Sequence, residues 1–104
     1  MQRKKTMSGI IDDYIATLTP RAQGRIKGRA KLVIADHGSV MLSETGAHRG
    51  DEAADVVLSA SDAVFRNILS GAQNPIMAYM SGKLKVEGNV QRALKVSAIL
   101  TDEA

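Results

Sequence analysis

The sequence contains no cysteine and no tryptophan. Without cysteine there are no disulfide staples, no thiolate metal sites and no thiol nucleophile. Histidine occurs only at His37 and His48, so a histidine-rich metal site is also excluded. The aromatic side chains are Tyr14, Phe65 and Tyr79. Three rings are too few for a module that stacks successive bases on aromatic platforms. No apolar run approaches the roughly 20 residues needed to span a bilayer. A basic run at Arg3, Lys4 and Lys5 has the charge of a signal-peptide start, but Asp12 and Asp13 interrupt directly after Ile10 and Ile11. A signal peptide would continue with an unbroken apolar segment, so that reading is rejected. The last residues, Thr101-Asp102-Glu103-Ala104, form no targeting tripeptide, and a cytoplasmic location is expected.

What is present is ordinary globular composition, 44% hydrophobic and 24% charged. A chain of 104 residues fits one domain, expected over residues 1–104 with a flexible tail at 1–7. The net charge of +3 is unevenly spread: residues 1–31 hold eight basic and two acidic side chains, while residues 32–62 hold one basic and six acidic. Such regional charge bears on partners rather than on fold.

Ile10, Ile11, Tyr14, Ile15 and Leu18 fall on one helical face, with Ser8 as the expected N-cap and Thr19-Pro20 as the stop. Over residues 25–35 the period changes to two. Ile26, Gly28, Ala30, Leu32 and Ile34 alternate with Arg25, Lys27, Arg29, Lys31 and Val33, which predicts a strand with four cations on one face. A turn at Asp36-His37-Gly38-Ser39 leads to a second strand over Val40 to Glu44. Residues 45–54 read as loop, and Asp55 to Ala60 as a third strand. Ser61 caps a helix bearing Phe65, Ile68 and Leu69 that closes at Gly71. Asn74-Pro75 opens a short helix with Ile76, Met77 and Met80. Lys83 to Glu87 alternates as a fourth strand, with Leu84 and Val86 on one face. Asn89 caps a last helix with Val90, Ala93, Leu94, Ser97 and Ala98 on one side.

This order predicts an α+β fold, with four strands assigned by pattern in a mixed sheet and helices packed on one face; the resemblance described below raises this to a four- to five-stranded sheet. The first three strands, joined by short links, are expected to be antiparallel. The fourth arrives after a helical crossover and is expected to be the parallel member.

The segment Asp55 to Leu100 carries a resemblance. It runs Asp55-Val-Val-Leu-Ser-Ala-Ser-Asp62, Leu69-Ser70-Gly71, Asn74-Pro75, then Ala78-Tyr-Met-Ser-Gly-Lys-Leu-Lys-Val-Glu-Gly-Asn89 and Ala93-Leu94-Lys95. This resembles the sterol-carrier-protein lipid-binding domain of the non-specific lipid-transfer type. The hairpin over Gly24 to Glu44 fits the same plan more loosely. No tryptophan occupies the second strand, where many members of that family have one. The resemblance implies five strands and an apolar cavity between sheet and helices that holds a lipid. Its fifth strand is either missing here or hidden in residues 19–24 or in the 70s. The helices at 62–71 and 75–81 would form walls, and the final helix a lid. The expected lipid-binding residues are Phe65, Ile68, Leu69, Ile76, Met77, Met80, Leu84, Val86 and Leu94. Met41, Met77 and Met80 are unbranched and polarizable, which suits a cavity that accepts varied shapes.

No catalytic residue, metal or cofactor is expected. His48 lies near Glu44, Asp51, Glu52 and Asp55, but one histidine among flexible carboxylates lacks ligand spacing. His37 sits in a turn, and Gly24 and Gly28 match neither a P-loop nor a dinucleotide fingerprint. Arg25, Lys27, Arg29 and Lys31 are ordinarily a solvated sheet face; read functionally, they would dock the protein on anionic lipid headgroups. The expected partner is therefore a fatty acyl, isoprenoid or sterol-like lipid, with transient contact to an anionic membrane surface. The alternatives are an accessory subunit that presents a hydrophobic substrate to a biosynthetic enzyme complex, and a basic nucleic-acid-binding module. The scarcity of aromatics and the lack of a motif weigh against the last, and no nucleic-acid partner is expected.

Overall fold

The computed structural model describes residues 3–26 and 28–101. The elements are α1 (Arg3–Ala22), β1 (Ala30–Ile34), β2 (Gly38–Ser43), β3 (Gly46–Arg49), β4 (Val56–Ala60), α2 (Asp62–Ser70), α3 (Pro75–Met80), β5 (Lys85–Gly88) and α4 (Val90–Thr101). The five strands form one mixed sheet in the order β3-β2-β1-β4-β5. The expected α+β architecture is therefore present.

The pairing directions differ from the expectation. The hairpin β1–β2 is antiparallel, with Leu32 opposite Val40. It is β4 that runs parallel to β1, with Leu32 opposite Leu58, and β5 that runs antiparallel to β4. The cause is the path between β3 and β4. Residues 50–55 return across the back of the sheet, where Lys31 Nζ meets Asp51 Oδ1 at 2.8 Å. The chain then enters β4 beside the start of β1, pairing Val56 with Ala30. The fifth strand lies in neither place suggested by the sequence. It is β3, inside the segment read as loop, paired with β2 through Leu42 and Ala47.

Helices cover one face of the sheet. Ala30, Leu32, Ile34, Val40, Leu42, Val56, Leu58 and Ala60 present that face and are buried. Above β2 and β3 lies α1, which contributes Ile11, Tyr14, Leu18 and Ala22 to the core. Above β4 and β5 lies α4, with α2 and α3 packed on it. Met41 faces the other way. It is fully buried beside Gly50, on the back of the sheet, and so lies outside any space beneath the helices.

Two helix ends depart from the sequence signals. The helix α1 includes residues 3–7, expected as a tail, and runs through Ser8, expected as its cap. It also continues past Thr19-Pro20 to Ala22. Proline removes one backbone donor from the last turn, yet Leu18 and Ala22, one turn apart, are both wholly buried. Packing thus outweighs the local stop signal. Ends that do follow the signals are those of α2, where Ser61 Oγ accepts from Val64 N and Gly71 adopts the left-handed conformation.

The strand predicted over 25–35 is shorter than the alternation suggested. Only residues 30–34 pair, so Arg25 and Arg29 lie in the connection before β1. The hydrogen bond from Gly24 N to Glu44 O and that from Arg25 N to Ala22 O hold this connection in a turn instead. Lys27 lies outside the described residues.

Candidate functional site

The short helix α3 is built by strong local signals. Asn74 Oδ1 accepts hydrogen bonds from Ile76 N at 2.8 Å and Met77 N at 3.2 Å, and Pro75 takes the first helical position. Lys83 N and Leu84 N then both donate to Ala78 O, which turns the chain into β5. The inward stripe of α3 consists of its small residues, Pro75 and Ala78. These let the helix sit close to the core, and they force its large residues outward. Ile76, Met77, Tyr79 and Met80 are 49–75% exposed. The sequence placed Ile76, Met77 and Met80 on an inward face; the structure turns all three outward.

The same shift occurs on α4. Asn89 Oδ1 caps it by accepting from Arg92 N at 3.0 Å. Its buried residues are Ala93, Val96, Ser97, Ile99 and Leu100, and Val90 and Leu94 are left half-exposed toward α3. Ser97 Oγ donates to Ala93 O at 2.9 Å, within the helix. The hydroxyl proton is therefore already committed to the backbone.

Between α3, β5 and α4 lies a cleft of about 290 Å³. Ile76, Tyr79 and Met80 form one wall, Leu84 and Val86 the sheet edge, and Val90, Ala93, Leu94 and Ser97 the other wall. A groove of about 430 Å³ adjoins it along α4, sharing Pro75, Ile76, Leu94 and Ser97 and running past Gln73, Ala98 and Thr101. Small-molecule sites usually occupy about 300–1,000 Å³. The cleft alone is at the bottom of that range, and the adjoining groove extends it.

Among the described residues, the exposed large hydrophobic side chains are Ile76, Met77, Tyr79, Met80, Val90 and Leu94. Five of these six line the cleft, all but Met77. Apolar exposure scattered singly is normal, but here it is gathered around one opening.

The expected lipid-binding residues thus divide. Ile76, Met80, Leu84, Val86 and Leu94 come together in the cleft. Phe65 and Ile68 are fully buried core, and Leu69 packs beside them on α2. None of the residues of α2 lines the cleft, so α2 is not one of its walls. Sequence reasoning missed Tyr79 and Val90 as lining residues. Their spacing from Ile76 and Leu94, three and four positions, was the available signal. α4 itself is a wall, anchored by its buried stripe.

The proposed membrane-facing cations are not one strand face. Lys31 is held by Asp51 with its side chain only 16% exposed. Arg25 and Arg29 line a separate cavity on the opposite side of α4. Among the described residues, no three histidine or acidic side chains gather as a metal site. No helix among them is long and apolar enough to cross a membrane.

The family model of the SCP-2 sterol transfer family matches residues 12–101. The chain belongs to this family. Its fold is similar to that of the sterol carrier protein 2 of Aedes aegypti solved in complex with palmitate, with a TM-score of 0.63, 19% identity and 96% of each chain covered. In sequence it is 42% identical over 52 residues to the fatty acid-binding protein of Yarrowia lipolytica, covering 50% of this chain and 39% of that protein. It is also 46% identical over 48 residues to the hydroxysteroid dehydrogenase-like protein 2 of Rattus norvegicus, covering 46% of this chain. The matched segment spans only 9% of that larger protein.

Proposed function

We propose that this chain binds one lipid with an extended apolar body, fatty acyl or isoprenoid, in the cleft between α3, β5 and α4. It would carry or present that lipid without chemical change. The observation that carries this reading is the gathering of five exposed large hydrophobic residues around a single cleft. Desolvating that surface stabilises a complex by about 25 cal/mol per Å² of apolar area removed from water. The groove continuing along α4 suits an extended body better than a bulky ring system. The absence of chemistry rests on the lining: its polar side chains are Tyr79 and Ser97, with no acid–base pair between them. Membership of the SCP-2 family and the likeness to a fatty acid-binding protein support the same ligand class.

The test is native mass spectrometry of gently purified protein, followed by organic extraction. A stoichiometric fatty acid or prenyl lipid is the expected finding. Protein that stays empty, and gains neither mass nor melting temperature with fatty acids or quinones, overturns the reading.

A further inference from the structure

Three methionines stand in three different settings. Met41 is fully buried beside Gly50 on the back of the sheet. Met77 is 63% exposed on α3 and does not line the cleft. Met80, three positions later on the same helix, is 75% exposed and does line it. Positions three apart are neighbours on a helix surface. Met77 and Met80 therefore meet the same solvent and differ in whether a lipid in the cleft reaches them. The sequence holds no cysteine, so no thiol competes for an oxidant. Among the residues lining the cleft, Met80 carries the only sulfur.

A hydroperoxide oxidises a thioether by passing it one oxygen atom. A sulfur lone pair attacks the outer peroxide oxygen, and the O–O bond breaks. The inner oxygen leaves with the peroxide's proton, as water from hydrogen peroxide or as an alcohol from a lipid hydroperoxide. Sulfur is oxidised by two electrons, and the peroxide is reduced by two. The product, methionine sulfoxide, replaces a flexible apolar side chain with a polar one. At Met80 the polar S=O group stands where an apolar chain packs, and its water must be stripped when lipid enters. At Met77 the same group stays hydrated whether or not the cleft is filled. Conversely, a lipid in the cleft covers the Met80 sulfur and leaves that of Met77 open to solvent.

We propose that Met80 is an oxidation site whose sulfoxide lowers the affinity of the cleft for lipid, with hydroperoxides as the oxidant. This role rests on the lipid reading of the same cleft. The form modified is the empty protein, so oxidation holds back reloading rather than expelling bound lipid. Methionine sulfoxide reductases return the thioether and with it the binding.

The test treats the full chain with hydrogen peroxide, at doses that leave its circular dichroism unchanged, with and without a saturating fatty acid. Sulfoxides are mapped by peptide mass spectrometry, and the treated protein is titrated with a fluorescent fatty acid. Without lipid, Met77 and Met80 are expected to gain oxygen while Met41 stays reduced. Saturating lipid is expected to slow oxidation at Met80 at least about three-fold and to leave Met77 unchanged. Oxidised parent is expected to bind about three- to ten-fold more weakly than untreated parent. Met77→Leu should show the same loss on oxidation. Met80→Leu should bind equally before and after treatment, whatever its starting affinity. Every other methionine is present in that variant, so its ratio of affinities counts their oxidation. Reductase treatment of the parent should restore its affinity. The proposal is overturned if oxidised parent binds as tightly as before, or if Met80→Leu loses as much as the parent. Equal lipid protection of Met77 and Met80, or none at either, also overturns it. An untreated parent that binds neither fatty acids nor quinones fails the lipid reading and this one with it. A parent that binds lipid but is indifferent to oxidation fails this one alone.

Discussion

Tyr14 of α1 donates its phenolic proton to Asp62 Oδ1 of α2 at 2.7 Å, joining residues 48 positions apart. The Tyr14 ring meets Phe65 edge to face, with centroids 6.2 Å apart, and Arg66 lies over it while holding Asp62 through Nε. Burial first, and the hydrogen bond to Asp62 second, push the Tyr14 hydroxyl well above its ordinary value. Burial opposes ionisation of Asp62, but the hydrogen bonds from Tyr14 and Arg66 outweigh it and hold the carboxyl below its usual range.

Both shifts make stability depend on pH, in opposite windows. A depressed Asp62 stabilises the fold above its unfolded pKa of about 3.9, and that contribution is lost as pH falls through the folded value. A raised Tyr14 stabilises below its unfolded pKa of about 10, and the contribution declines as pH rises beyond it. Tyr14→Phe is expected to cost about 1–2 kcal/mol near neutrality. It should also flatten both limbs of the profile. Urea unfolding at pH 3, 7 and 10.5 checks this; a variant with the same two limbs as the parent would remove Tyr14 and Asp62 as their cause.

Phe65 separates core from site. It is wholly buried beneath α2 and absent from the cleft. Phe65→Leu keeps an apolar side chain but leaves part of the space unfilled, at a cost of about 1–2 kcal/mol. Lipid affinity should stay unchanged at temperatures where the variant is folded. Denaturant unfolding and a fluorescent fatty-acid titration read the two effects separately. A large loss of affinity in folded protein would show that ligand reaches beneath α2.

Much of this architecture is legible in sequence because strong local signals agree with packing. Ser61 with Gly71, and Asn74 with Pro75, bound their helices where side-chain caps and a left-handed turn require. The alternation Ala30-Leu32-Ile34 and Val56-Leu58-Ala60 marks strands whose alternate residues are buried. β3 was hidden because an edge strand of four residues, Gly-Ala-His-Arg, turns only Ala47 and the stem of Arg49 toward the helices. Arg49 there reaches Asp12 of α1 at 2.8 Å, a pairing no local pattern announces. The cleft was half legible. Periodicity identifies α3 and α4 as amphipathic, but which stripe is buried depends on how closely each helix approaches. Pro75 and Ala78 win that approach because they are small, and the larger side chains turn outward.

Gly88 ends β5 where the sheet edge meets the chain entering β4. Its φ is 101°, and a Cβ there would lie 2.4 Å from Asp55 O and 3.1 Å from Val56 Cα. Neither neighbour is a side chain that can swing away, since both are backbone. Gly88→Ala therefore combines a left-handed strain with a steric clash, and is expected to cost about 2–4 kcal/mol. Thermal unfolding measures it. A loss below about 0.5 kcal/mol, the scale of ordinary surface substitutions, would mean that β5 and β4 are not held this closely.

Leu94 and Met77 provide the sharpest contrast at the cleft. Both are exposed apolar residues on helices, at 51% and 63%, and both were expected to bind lipid. Only Leu94 lines the cleft, and it also borders the adjoining groove. A carboxylate placed there must lose water when an apolar chain packs on it, whereas one at Met77 stays hydrated. Leu94→Asp is thus expected to weaken lipid binding at least about ten-fold, while Met77→Asp changes it less than about two-fold. Neither should alter stability by more than about 0.5–1 kcal/mol, because neither side chain is part of the core. Titration of both variants with one fluorescent fatty acid decides the matter. Equal losses would mean that the whole outer face of α3 takes part in binding, and loss at Met77 alone would place the lipid outside the cleft.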